Sequence, residues 1–206
     1  MFMKNTIDTL VFDLGGVLID WNPRYLYREI FPNSEEMEHF LNQVCTSEWN
    51  EQQDAGRSLA EGTETLVVAH PNWEPEIRAF YGQWEKMLQG PITGTLRLLE
   101  KLAGMGNYRL YALTNWSAEL WPIAWERYAF LKTFQGILVS GQEKMAKPEA
   151  RIYALLFQRF GIRPEKALFI DDNLRNVIAS RQAGMAAYHF NSPEGLEGFL
   201  TESGLL

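Results

Sequence analysis

Ala167-Leu168-Phe169-Ile170-Asp171-Asp172 is an apolar, strand-like run that ends in two adjacent carboxylates. Two other stretches are built the same way: Leu10-Val11-Phe12-Asp13 closes on an Asp, and Leu110-Tyr111-Ala112-Leu113-Thr114 closes on a Thr. Lys147-Pro148 opens a helix-like stretch between the second run and the third. In an open parallel sheet the carboxyl ends of the strands face one crevice, where ligands bind. Asp13, Thr114, Lys147 and the Asp171-Asp172 pair are therefore expected to meet in space. Metal-assisted phosphoryl transfer needs such a set.

The rest of the chain fits that frame. Residues 7–13 read as a buried strand, broken by Gly15-Gly16, and Asn22-Pro23 reads as a helix start. Met37, Phe40, Leu41 and Val44 keep helical spacing behind Ser34 as expected N-cap. Ser58-Leu59-Ala60-Glu61 fits a capping box, and Ile77, Phe80, Tyr81, Trp84 and Leu88 form one stripe behind Pro75. Residues 22–88 thus read as several helices without a strand. After Pro91, helices expected at Thr95–Leu102, from near Ser117, at 149–160 and before Gly184 alternate with strands at 108–114, 136–140, 167–171 and 186–190. Alternation of this kind implies right-handed crossovers and a parallel sheet. The expected architecture is a doubly wound α/β core, residues 1–20 and 89–206, with a helical cap at 21–88 inserted after the first strand.

Composition narrows the function. The 206 residues carry 26 acidic and 19 basic side chains, a net charge of −7. That balance argues against nucleic acid or an anionic membrane as partner. An anionic substrate needs local positive charge, from a lysine or a metal. A single cysteine, Cys45, excludes an internal disulfide and a cysteine-rich zinc site, and is consistent with a cytoplasmic setting. The N-terminus, Met1 to Asp8, has no long apolar leader, and no apolar run approaches the ~20 residues of a membrane span.

Each motif taken singly has a plain alternative. Asp13 fits a turn former as well as a nucleophile. Gly15-Gly16 permit a tight turn and close approach of backbone N–H groups to an anion. Thr114 and Asn115 fit a helix cap as well as phosphate donors. Lys147 fits a surface charge as well as a cation that offsets nucleophile and phosphate; Lys144 lacks the proline that follows Lys147. Facing a crevice, Lys147 is expected to matter more to catalysis than to folding. Asp171 and Asp172 fit helix N-terminal acids, but adjacent carboxylates after an apolar strand cost free energy unless a cation compensates. Oxygen donors suit Mg2+. Asn173 and Asn176 are candidates for ordering that loop.

The ordered set resembles the haloacid dehalogenase-like hydrolase superfamily, carried by Val11-Phe12-Asp13-Leu14-Gly15-Gly16-Val17-Leu18, Ala112-Leu113-Thr114-Asn115, Lys147-Pro148 and Phe169-Ile170-Asp171-Asp172-Asn173. The resemblance implies a Mg2+-dependent hydrolase of small phosphorylated metabolites, working through an aspartyl-phosphate. By that resemblance Asp13 is nucleophile and metal ligand. Metal also falls to the Gly15 carbonyl and Asp172, with Asp171 nearby, and phosphate to Thr114, Asn115, Lys147 and the Gly15-Gly16 turn.

One position departs from the family pattern. Most phosphatases of the family carry a second Asp, the general acid and base, where this chain has Gly15. Some sugar-phosphate phosphatases share the glycine. With Asp20 as conceivable stand-in, turnover is expected to depend steeply on leaving-group pKa. Two other readings remain: a 2-haloacid dehalogenase using the same Asp without metal, and a non-catalytic binding or regulatory protein. Among the seven tryptophans, Trp21 and Trp116 are candidates for lining a pocket mouth; His39, His70 and His189 share no metal spacing and read as structural or surface residues.

Overall fold

The computed structural model describes residues 7–206; residues 1–6, where the reading of a leaderless N-terminus largely falls, lie outside them. Five parallel strands form the central sheet: β1 (Thr9–Phe12), β4 (Arg109–Thr114), β5 (Gly136–Val139), β6 (Ala167–Asp171) and β7 (Ala186–His189), in the order β5-β4-β1-β6-β7. The chain builds outward from β1 to β5, then crosses back to add β6 and β7 on the other side. That reversal makes the carboxyl end of β1 the switch point. Register places Phe12 beside both Ala112 and Ile170, so Asp13 and Asp171 emerge level with each other.

Alternate strand residues feed two apolar layers, as the pleat requires. Leu10, Phe12, Leu110, Ala112, Leu168 and Ile170 face one layer; Val11, Tyr111, Leu113 and Phe169 face the other. Around the sheet pack α6 (Thr93–Met105), α7 (Trp121–Arg127), α8 (Ser140–Glu143), α9 (Ala150–Phe160), α10 (Leu174–Gln182) and α11 (Pro193–Glu202). Among the described residues no helix is long and apolar enough to cross a membrane.

Between β1 and α6 the chain forms α1 (Arg24–Ile30), α2 (Ser34–Gln43), α3 (Ser47–Asp54), α4 (Leu59–Ala69) and α5 (Glu74–Gly82). A feature absent from the sequence reading frames them. Two short strands, β2 (Ile19–Trp21) and β3 (Leu88–Pro91), pair antiparallel where the chain leaves and re-enters the core. The stripe expected to run to Leu88 as one helix breaks at Gly82 into a 3-10 turn, Trp84–Met87, ahead of β3. Asn33, not Ser34, caps α2, accepting from Glu36 N at 2.9 Å. Ser58 caps α4 as expected, accepting from Glu61 N at 3.1 Å. Helix α6 runs past its expected end to Gly106, whose φ of 67° stops it. Near Ser117 the chain makes turns instead of helix, and α7 begins at Trp121.

Candidate active site

Strand ends and two loops bring the expected side chains together. Asp13 directly follows β1, and its backbone N–H donates to the Ile170 carbonyl at 2.8 Å, which holds it against β6. Lys147 reaches in from the loop before α9, across a cis peptide bond to Pro148. Its Nζ donates to Asp171 Oδ2 at 2.7 Å, to Asp13 Oδ2 at 2.9 Å and to the Leu113 carbonyl at 3.0 Å. Three acceptors match the three protons of an ammonium, and the side chain has no exposed surface. The loop is fastened by Asn115, which accepts from Lys147 N at 2.9 Å and donates Nδ2 to the Lys147 carbonyl at 3.0 Å.

The acids differ in their freedom. Asp171 is fully buried and occupied: Oδ1 accepts from Asn173 N at 2.7 Å, Asn176 Nδ2 lies 3.1 Å from both oxygens, and Oδ2 takes Lys147. Asp13 uses Oδ1 to accept from Leu14 N at 2.7 Å and is 8% exposed. Asp172 lies at the open side, with His189 Nε2 3.0 Å from its backbone carbonyl. One oxygen from each of Asp13, Asp171 and Asp172 lies within 4.8 Å of the others. One ammonium against three carboxylates leaves a net charge of −2, which a divalent cation cancels. Burial raises the Asp13 pKa well above the usual carboxylate range; Lys147 opposes that, and Asp171 and Asp172 reinforce it. Loss of hydration in the crevice, with the Asp171 charge, raises Asp172 too. Burial alone lowers the Lys147 pKa, but Asp13 and Asp171 reverse that and raise it.

Small residues set the floor. Gly16 has φ 73°, and a Cβ there would stand 2.2 Å from Asp172 Oδ2, so the turn after β1 packs directly on that carboxylate. Gly15 has open space around its missing Cβ. Thr114 is fully buried at the end of β4, and among the described residues its Oγ1 has no hydrogen-bond partner. A buried hydroxyl without a partner is costly, and a ligand oxygen would satisfy it.

Asp13, Gly15, Gly16, Asn115 and Asp172 open onto a cavity of about 400 Å³ between the core and the inserted helices. Trp21 and Trp116 do line it, and Trp84 joins them, its ring edge-on to Trp116 at 5.5 Å. Sequence reasoning missed Trp84, and also Asn50 and Asp54 of α3. Asp20 is not among the lining residues; its carboxylate accepts from the Tyr25 hydroxyl at 2.9 and 3.0 Å. Hard oxygen donors, a net negative charge and an unsatisfied hydroxyl fit a divalent cation with a bound phosphate.

Comparison with known proteins agrees with this geometry. Residues 7–184 match the family profile described as haloacid dehalogenase-like hydrolase. The sesquiterpene phosphatase astK of Aspergillus oryzae is 28% identical over 190 residues, 91% of each chain. An N-acetylmuramic acid 6-phosphate phosphatase of Pseudomonas aeruginosa is 22% identical, covering 86% of this chain and 79% of its own. Among solved structures, a haloacid dehalogenase family enzyme of Bacteroides thetaiotaomicron, in complex with magnesium and inorganic phosphate, superposes with a TM-score of 0.66 at 25% identity, over 90% of this chain and 95% of its own. An L-2-haloacid dehalogenase of Xanthobacter autotrophicus shares the fold, with a TM-score of 0.62 at 16% identity over 95% of this chain and 83% of its own.

Proposed function

The chain belongs to the haloacid dehalogenase-like hydrolases, and on that premise we propose that it hydrolyses small phosphate monoesters through a phosphorylated Asp13, with Mg2+ held by Asp13, Asp172 and the Gly15 carbonyl. The observation that carries the reading is the Lys147 ammonium bonded to Asp13 and Asp171 with Asp172 beside them. Asp13 keeps one oxygen on Leu14 N and offers the other for attack on phosphorus. Lys147 holds Asp13 in place and balances charge as the phosphoryl group arrives. Asp171, with both oxygens occupied, serves as the anchor for Lys147 and the loop at Asn173 rather than as a direct metal ligand. Thr114 Oγ1 and the Gly15 N–H receive phosphate oxygens, the Gly16 N–H being held by the Ile19 carbonyl at 2.9 Å. Mg2+, when bound, supplies the positive charge that offsets the carboxylates and phosphoryl oxygens together.

Relatives that are themselves phosphatases, one of a sesquiterpene and one of an N-acetylated sugar acid, support this chemistry over carbon–halogen cleavage. A free haloacid carboxylate would also enter a site of net charge −2. The cavity's walls of Trp21, Trp84, Trp116 and Leu120 suit an ester with a ring or hydrocarbon body, such as a sugar or isoprenoid phosphate. Residues 21–88 act as the cap that closes over this substrate, with the β2–β3 ribbon at its root, in a cytoplasmic enzyme. The test is phosphate release from a panel of sugar, isoprenoid and aryl phosphates with Mg2+, with EDTA, and with Asp13→Asn. Mg2+-dependent release lost in the variant supports the reading; release insensitive to both, or none from any ester, overturns it.

A further inference from the structure

Gly15 leaves the leaving-group oxygen without the family's usual proton donor, and the structure supplies another carboxyl in the same cavity. We propose that Asp54, the last residue of α3, is the general acid and base of this enzyme, contributed by the inserted helices rather than by the catalytic loop. The inference rests on the phosphatase reading above.

Three observations carry it. Asp54 lines the cavity that Asp13, Gly15 and Asp172 also line. Its position is fixed to the core as well as to its own helix: Ser140 Oγ donates to the Asp54 carbonyl at 2.5 Å and accepts from Trp116 N at 2.9 Å. The end of α3 is thus tied to the loop that follows Thr114. Finally, the placement is unfavourable for a merely structural acid. A carboxylate at a helix C-terminus opposes the helix dipole. Among the described residues no cation pairs with Asp54; Asn50 Nδ2 donates to Oδ2 at 3.0 Å. Acids held uncompensated in a cleft mark sites where a proton moves.

Its surroundings set its charge. Burial and the Glu51 charge on its own helix push the Asp54 pKa up to about 7, against the Ser117 N–H and the Lys147 charge. Glu51 is itself paired with Arg175 of α10. A carboxyl poised there holds a proton in part of the population at neutral pH, and can both give and take one.

The proton accounting closes. In the first half-reaction an Asp13 oxygen bonds to phosphorus, the phosphorus–ester oxygen bond breaks with its electron pair on oxygen, and the Asp54 proton goes to that oxygen. In the second, the Asp54 carboxylate takes a proton from water, the water oxygen bonds to phosphorus, and the bond to Asp13 breaks. Phosphate leaves, Asp13 is a carboxylate again and Asp54 is protonated again. The steep leaving-group dependence expected from Gly15 alone is therefore replaced by a shallow one below neutral pH.

The experiment measures kcat/KM on Mg2+-loaded enzyme for phosphate esters of graded leaving-group pKa. Asp54→Asn should lose about 10²–10⁴ on alkyl phosphates but less than about tenfold on activated aryl phosphates, because a good leaving group needs no acid. Its plot becomes steep, and phosphorylated Asp13 accumulates with the activated ester. Gly15→Asp added to Asp54→Asn should recover much of the alkyl-phosphate loss, since nothing lies within 4 Å of a Cβ there. Should Asp54→Asn not fold, the wild-type plot still decides: it should steepen as pH rises through about 7. An equal loss on every ester, no loss on any, or a wild-type slope unchanged with pH overturns the acid assignment. Inactivity of the wild type on all esters would instead sink the phosphatase reading itself.

Discussion

Removing Lys147 tests how the buried charges are balanced. The side chain is unexposed and its Nζ makes three bonds, two of them to carboxylates that are themselves buried; the ammonium also stands 5.3 Å from the Phe169 ring centroid. Sequence alone suggested that its loss would cost catalysis more than folding. The structure argues that it costs both. Lys147→Ala leaves Asp13 and Asp171 buried without their shared cation, and breaking a buried pair in this way costs about 3–5 kcal/mol. For a chain of this size each kcal/mol moves Tm by about 2–4 °C, so the expected fall is about 6–20 °C in metal-free protein near pH 7.5. Lys147→Met keeps an apolar stem and should lose nearly as much, which assigns the loss to charge. Lowering the pH should shrink the penalty, because the orphaned carboxylates protonate, and Mg2+ should restore part of it. Thermal and urea unfolding followed by circular dichroism would read all four arms. A loss below about 1 kcal/mol for Lys147→Ala would refute the account of a compensating buried cation.

The remaining predictions concern the same charges. Asp172→Ala should weaken Mg2+ binding in calorimetry and raise the Tm of metal-free protein, since it removes a carboxylate repelled by Asp171. Gly16→Ala should destabilise by about 1–3 kcal/mol and weaken Mg2+ binding, because φ 73° strains an alanine and its Cβ meets Asp172. Metal-free stability should fall as pH rises from about 5 to 8, since acids whose folded pKa is raised hold protons that the unfolded chain has already released. Asp13, Asp172 and Asp54 are the raised groups; Mg2+, by favouring the ionised acids, should flatten the slope, and Asp54→Asn should remove part of it.

The core was legible because its signals are local. Apolar runs at 10–12, 110–113 and 167–170 lead into Asp13, Thr114 and Asp171, and a parallel sheet gathers such ends at one edge. The ribbon was not legible: β2 is only three residues long, and β3 contains Gly90 and Pro91, both poor strand formers. The burial of Lys147 was equally hidden, since a lysine carries no sequence mark of the two carboxylates that will surround it. Asp54 was missed for a different reason. Nothing in Ser47-Glu48-Trp49-Asn50-Glu51-Gln52-Gln53-Asp54 sets Asp54 apart from its acidic and amide neighbours, and only the fold places the end of this helix at a cavity. Asn173 and Asn176, singled out for the loop, do hold Asp171.

The central claim is that phosphate passes through Asp13. Enzyme turning over an active ester with Mg2+ would be quenched in acid, and the peptide containing Asp13 examined by mass spectrometry. The account predicts a peptide heavier by one phosphoryl group, labile to hydroxylamine, with the added mass on Asp13. It should be absent with EDTA and in Asp13→Asn, and more abundant in Asp54→Asn. Phosphate found on another residue, or full turnover by Asp13→Asn, would contradict it.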